Sequence, residues 1–203
     1  MSLTARRAYF EGLAPQWDER PAPPDAPARL AAFCERACPA GARRVLDVGS
    51  GTGVLAAPLL ERLGAEARLI ELDFAPGMLR RAVSKIRDSR LLAVCADALA
   101  MPFPPGLFDA VLCFGILPHL GPAPQALARL WEAVAPAGVL AIGHLMGSHE
   151  LNARHRSFGG PIAEDFLPEA GEVARMLVEL GAVAVEAEDS PDGYFVRAAK
   201  GIR

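Results

Sequence analysis

From residue 28 onward the apolar positions of the chain alternate between two periods. Runs of near-consecutive apolar residues at 44–48, 68–72, 91–95, 108–113 and 138–145 are separated by stretches at 28–38, 52–63, 77–89 and 123–135 with helical spacing. The first pattern predicts strands and the second amphipathic helices. Apolar strands divided by such helices are what a sheet covered on both faces requires, so the chain predicts an α/β fold built on a doubly wound, mostly parallel, Rossmann-like sheet. The rhythm breaks at the end, where a helix at 169–180 precedes strands at 183–187 and 194–199 joined by a turn at 189–193. That C-terminal antiparallel hairpin makes the sheet seven-stranded and puts at least one antiparallel strand at its edge.

Upstream, Tyr9, Phe10, Leu13 and Trp17 recur at three and four residues, which gives a short segment one apolar face able to lie on the main body. Four prolines between 21 and 27 then deny the backbone helical hydrogen bonds. The expected organisation is one domain over 1–203, with 1–27 as an N-terminal lid or linker segment and 146–181 as an insertion before the final hairpin.

Composition narrows the function classes. With 203 residues, 52% hydrophobic and 22% charged, the chain can bury a substantial single core without cross-links. A net charge of −3 supplies no positive field to gather nucleic acid or an anionic membrane, so neither is expected as a partner. Cys34, Cys38, Cys95 and Cys113 form no C-x-x-C pair and read as reduced thiols. Residues 1–10 contain no apolar signal core, and no run approaches a membrane span, so a cytoplasmic location is expected.

The candidate chemistry begins at Val45-Leu-Asp47-Val-Gly49-Ser50-Gly51-Thr52-Gly53, where a strand, a glycine turn and a helix start follow one another directly. Glycines there let the backbone come close to a ligand, and in open α/β sheets the ligand crevice lies beyond the carboxyl ends of the strands. Asp73, at the end of the next strand, is placed to accept hydrogen bonds from both hydroxyls of a ribose. A dinucleotide fingerprint would want a third glycine where Val54 stands. Asp47 before the turn would repel a pyrophosphate but suits a ligand bearing an amino group and a sulfonium.

At this point the chain resembles the class I S-adenosylmethionine-dependent methyltransferases, over roughly residues 9 to 145. The resemblance implies that Asp47, Gly49, Ser50, Gly51 and Thr52 cradle the amino-acid part of S-adenosylmethionine and that Asp73 takes the ribose. It further implies that Phe74 and Met78 flank the adenine, that Asp97-Ala98 meets its edge, and that Phe114 lines the methionine portion. Pro136-Ala-Gly138 matches the family's usual turn before the fifth strand, and Tyr9-Phe-Glu-Gly-Leu-Ala-Pro-Gln-Trp17-Asp18 resembles the lead-in of quinone-biosynthesis-like small-molecule methyltransferases. The sequence departs from the pattern at Ala75, where Ser or Thr is common, and at Pro118-His119, where a histidine pair is common. S-adenosylhomocysteine would be the product, and the partner a small-molecule methyl acceptor.

Methyl transfer from a sulfonium needs alignment and exclusion of water more than proton chemistry, unless the acceptor must first lose a proton. A base would then be a histidine, and His119 and His149 are the candidates among His119, His144, His149 and His155. If residues 148–157 are helical, His149, Asn152, His155 and Arg156 fall within about 120° and form a polar stripe. With Trp17 and His144, that stripe is the candidate acceptor-binding set, and 146–181 the segment shaping the pocket. A solvated face and metal ligation are the competing readings of the stripe; the histidine spacing is not a clean ligand pair, and no metal is assigned. A nicotinamide oxidoreductase, disfavoured by Val54 and Asp47, and a non-catalytic cofactor-binding domain are the alternative functions.

Overall fold

A computed structural model describes residues 3–158 and 160–202; Met1, Ser2 and Arg203, and Gly159 within the expected insertion, lie outside the described residues. The elements are α1 (Leu3–Leu13), α2 (Ala26–Ala37), β1 (Arg44–Val48), α3 (Ala56–Arg62), β2 (Arg68–Asp73), α4 (Pro76–Lys85), β3 (Leu91–Cys95) and β4 (Phe108–Phe114). They continue with α5 (Ala123–Ala133), β5 (Val134–His144), α6 (Ser148–Phe158), α7 (Ala170–Glu179), β6 (Ala182–Ser190) and β7 (Gly193–Lys200). The strands form one seven-stranded sheet in the order β3-β2-β1-β4-β5-β7-β6. Five are parallel, and β7 runs antiparallel between β5 and the edge strand β6.

Both faces are covered, as the apolar strands require. Val45, Leu69 and Leu112 pack with Phe33 and Cys34 of α2 and Leu59 of α3, while Leu46, Val111 and Ile142 pack with Leu127 and Leu130 of α5 and Val173 of α7. The chain order reverses at β1 and β4, and a crevice opens there beyond the strands' carboxyl ends.

Several boundaries differ from the sequence pattern for local reasons. Helix α3 starts at Ala56 rather than residue 52, because Gly51 and Gly53 hold φ values of +56° and +78° that interrupt a helical turn. Strand β5 begins at Val134, before the expected turn; the Pro136–Gly138 step is accommodated as an irregularity between the Phe108–Val134 and Ala110–Val139 pairings, with Ala137 at φ 61°. The final hairpin closes over two residues, Pro191 and Asp192, so both strands are longer than expected.

The N-terminal segment folds back across the crevice. Helix α1 and a 3-10 turn (Ala14–Glu19) bury Phe10 and Ala14 with Met78, Ala75 and Ile162, beside Trp17 and Phe74. Polar ties fix this cover: Glu11 accepts from the Gly77 N–H at the start of α4 at 2.7 Å and pairs with Arg80. Asp18 accepts from the Thr52 hydroxyl and pairs with Arg81 and Lys85.

Candidate active site

The floor of the crevice is the glycine turn. Gly49 and Ser50 donate their N–H groups to the Leu72 carbonyl at 2.7 and 3.1 Å, which closes the turn against β2. Gly49 has φ +64°, and a Cβ there would stand 2.3 Å from Ile116 Cγ1, so only glycine fits. Asp73 knits this turn to the next: Oδ2 accepts from the Gly51 N–H at 2.9 Å and Oδ1 from the Ala75 N–H at 2.8 Å. Burial raises the Asp73 pKa, and those N–H bonds oppose the rise. Each oxygen keeps lone-pair capacity on the crevice side for a further donor.

Asp47 lies at the end of β1, buried, with Oδ2 lacking a hydrogen-bond partner. Burial pushes its pKa well above the carboxylate range, and the charges of Glu71 and Asp73 add to the rise. Glu71, opposite Asp47 in the β1–β2 register, is equally buried and pushed up to about 7 by burial, with the neighbouring Ser50 hydroxyl opposing the rise. A buried carboxylate with an unpartnered oxygen suits a ligand that brings its own cation.

Two adjoining cavities occupy the crevice, of ≈ 360 and ≈ 230 Å³, sharing Gly49, Asp73, Phe74, Ile116 and His119. Of the residues expected at a cofactor, Asp47, Gly49, Ser50, Gly51, Asp73, Phe74, Met78 and Phe114 line the first, and Asp97 and Ala98 line the second. Asp97 also caps its 3-10 turn by accepting from the Leu99 N–H at 2.9 Å. Thr52 is the exception: fully buried and outside both linings, it ties the turn to Asp18 instead.

The acceptor-side expectations divide. Trp17, His144 and His155 line the larger cavity, and Phe10, Leu151, Arg154 and Phe158 join them. His149 does not: its side chain is 87% exposed and pairs with Glu150. Asn152 is buried away from the cavity as a clamp, its amide donating to the Leu167 carbonyl at 2.9 Å and accepting from the Leu167 N–H at 2.8 Å. The clamp and the burial of Leu151 set the rotation of α6, so the helix shows the cavity its 151–154–155–158 face instead of the expected polar stripe.

His119, in the 3-10 turn Leu117–Leu120 after β4, lines both cavities. Its Nδ1 lies 2.5 Å from Asp165 Oδ2, and Asp165 Oδ1 accepts from Arg6 at 2.6 Å. Arg6 also donates to the His119 backbone carbonyl. The Asp165 backbone carbonyl accepts from Nδ1 of His155 at 2.7 Å, and the two imidazole centroids are 5.2 Å apart. Burial lowers the pKa of His155 and takes His144 down to about 4. Asp165 and Arg6 carried no local signal in the sequence, since they meet His119 only through tertiary packing; Glu71 did carry one, as a charge in a strand apolar on both sides.

A glycine turn at the head of β1, an acid at the end of β2 and a 3-2-1-4-5-7-6 sheet define a nucleoside-binding α/β domain of the methyltransferase kind. Residues 45–138 match the family model described as a methyltransferase domain, and there the chain is similar to the class I S-adenosylmethionine-dependent methyltransferases. Among sequence relatives, the demethylmenaquinone methyltransferase of Thermus thermophilus is 43% identical over 106 residues, covering 49% of this chain and 46% of that protein. The chain spans about half the length of the curated relatives it matches. Among solved structures, a chain of the complex between the Haloferax volcanii Trm112 methyltransferase activator and a methyltransferase superposes with a TM-score of 0.77 at 14% identity, covering 95% of this chain and 97% of that one. Phosphoethanolamine N-methyltransferase 2 of Haemonchus contortus, solved with S-adenosyl-L-methionine, gives 0.71 at 18% identity, covering 86% and 52%. Among the described residues, no helix is long and apolar enough to cross a membrane.

Proposed function

We propose that this protein is a cytoplasmic enzyme that binds S-adenosylmethionine in the crevice over the glycine turn and transfers its methyl group to a small-molecule acceptor held beneath the N-terminal segment. The observation that carries the proposal is Asp47, a buried carboxylate with an unpartnered oxygen lining the cavity at the foot of the turn. That acid suits the ammonium of the cofactor's amino-acid portion and opposes the pyrophosphate of a nicotinamide dinucleotide.

The remaining lining fits the same ligand. Asp73 would accept from the ribose hydroxyls, Phe74 and Met78 would sandwich the adenine, and Asp97 and Ala98 would meet its edge. When bound, the cofactor supplies an electrophilic methyl on a sulfonium that leaves as a neutral thioether. The chain's own contribution is to fix two reactants in line and to keep water out, a role for α1, Trp17 and the proline segment at 21–27. The insertion at 146–181 would complete the acceptor side through Leu151, His155 and Phe158.

Calorimetry with S-adenosylhomocysteine tests the reading: the wild-type chain should bind it at micromolar strength or better, and Asp73→Ala should weaken it by tenfold or more, on the order of two lost hydrogen bonds. Absence of binding by the wild-type chain, or binding of NAD in its place, would overturn the proposal.

A further inference from the structure

The crevice is polarised from end to end. All the acids that line the two cavities, Asp47, Asp73 and Asp97, lie at the glycine turn or beyond the ends of β2 and β3. Three arginines line them as well, and they are placed differently. Arg6, in the smaller cavity, is already paired with Asp165 at 2.6 Å. Arg20 lies over the Trp17 ring at 4.6 Å, and the Trp17 indole nitrogen stands 3.9 Å from where a Cβ on Gly51 would be, so this pair belongs to the glycine-turn side. Arg154 is on the opposite side, on α6 between Leu151 and His155.

Among the described residues no carboxylate pairs with Arg154. Its guanidinium lies 5.2 Å over the Phe158 ring, and its one polar contact is with the Met146 thioether at 4.0 Å, a weak acceptor. A guanidinium carries five donors in a planar fork, so most of them are left for a ligand. Burial lowers the pKa of His144 and His155, and the charge of Arg154 adds to both shifts, which places that charge beside these two imidazoles. His144 contributes a further donor: its Nδ1 accepts the Met146 N–H at 3.0 Å, so the neutral ring carries its proton on Nε2, which has no protein partner among the described residues. His119 and His155 supply none, since each, when neutral, spends its ring N–H on an oxygen of Asp165. This wall therefore offers donors and a positive charge without an acid, against the apolar surface of Leu151, Phe158 and Ile162.

Resting on the function proposed above, we propose that the methyl acceptor is an organic acid whose carboxylate is held by Arg154, with the Nε2–H of His144 as second donor, and whose apolar body lies against Leu151, Phe158 and Ile162. The two-pronged edge of a guanidinium matches the two oxygens of a carboxylate. The crevice then divides the charges of its two ligands: Asp47 takes the ammonium of the cofactor at one end, and Arg154 takes the anion of the acceptor at the other. An acceptor bearing a protonated amine would meet Arg154 with no acid to offset the repulsion. Arg154 is exposed, so the pair forms at the mouth of the cavity and weakens as ionic strength rises. Arg154 is thus a specificity-determining residue that selects acids from their neutral counterparts.

Calorimetry on the full chain saturated with S-adenosylhomocysteine tests this with matched probes, 2-naphthoate against 2-naphthamide and octanoate against octanamide. At least one acid should bind about tenfold or more tighter than its amide, as expected for a hydrogen-bonded charge, and the margin should shrink as salt is raised. Arg154→Gln should remove the preference, Arg154→Lys should keep part of it, and neither should change the affinity for S-adenosylhomocysteine. A wild-type chain that binds the amides as well as the acids, or that binds neither acid, would overturn the inference while leaving the cofactor reading intact. A preference that survives Arg154→Gln would do the same. If Arg154→Gln instead lost about tenfold in affinity for S-adenosylhomocysteine, the guanidinium would belong to the cofactor's own carboxylate, and the inference would again fail. Failure of the wild-type chain to bind S-adenosylhomocysteine at all would remove the reading beneath it.

Discussion

Glu71 stands opposite Asp47 in the β1–β2 ladder, so two buried carboxylates occupy neighbouring positions on one face of the sheet, directly under the glycine turn. Burial takes Glu71 from an ordinary 4.5 up to about 7, with the charge of nearby Asp73 adding to it. Between those two values the folded chain holds a proton that the unfolded chain has released, so stability falls as pH rises through this window and levels off above it. The decline from Glu71 amounts to about 3 kcal/mol. Glu71→Gln should unfold at nearly the wild-type temperature at pH 5 and at a clearly higher one at pH 8; a variant that loses stability with pH as steeply as the wild type would show that the acid is not the cause.

The strand–turn–helix core of the site was legible because its parts are contiguous: Asp47, Gly49 and Gly51 lie within five residues, and Asp73 ends the next strand. The face of α6 was not. Its rotation depends on Asn152 gripping Leu167, 15 residues further on, and helical spacing alone cannot show which side of an amphipathic helix has a partner. The Arg6–Asp165–His119 group joins α1, the turn after β4 and the loop before α7, positions that no local pattern connects. The start of α3 was misplaced because the positive φ of Gly51 and Gly53 prevents the helix from beginning at once.

Asp47 should make cofactor affinity depend on pH. Its raised pKa means that the carboxylate form, which an ammonium needs, grows in as pH rises. Calorimetric affinity for S-adenosylhomocysteine should therefore strengthen from acid toward neutral pH in the wild type. Asp47→Asn should bind about tenfold to a hundredfold more weakly at pH 8, as expected for one hydrogen bond to a charged group, and along a flatter pH profile. An equal slope in both proteins would place the titration elsewhere.

Gly49 carries two constraints that can be separated. Alanine there meets Ile116 at 2.3 Å and must also hold φ +64°. Gly49→Ala should cost about 1–3 kcal/mol in overpacking, with backbone strain in addition. Combining it with Ile116→Ala removes Cγ1 and Cδ1 but keeps Cβ at 2.8 Å, so it should relieve part of the first cost and leave the second. Denaturant unfolding of the three variants measures both, and a double variant no more stable than Gly49→Ala would refute the steric assignment.

Asn152 and His149, neighbours in the expected stripe, should now behave oppositely. Asn152→Ala leaves the Leu167 N–H and carbonyl without their partners and should destabilise by about 1–3 kcal/mol for each group stranded. His149→Ala, in solvent, should stay within about 0.5 kcal/mol of wild type. Thermal unfolding of the pair distinguishes them, and equal stabilities would contradict the clamp.

The cover formed by α1 and the following turn has a kinetic meaning. Tyr9, Phe10, Trp17 and Arg20 are part of the wall around the proposed ligand, so release of a spent cofactor past them would be opposed by the partners that Arg6, Glu11 and Asp18 keep. The partly exposed pairs of Glu11 and Asp18 weaken as ionic strength rises, and any opening of this cover would become easier with them. The pace of the catalytic cycle would be written into the N-terminal cover, which is tied to the glycine turn through the bond between Asp18 and Thr52.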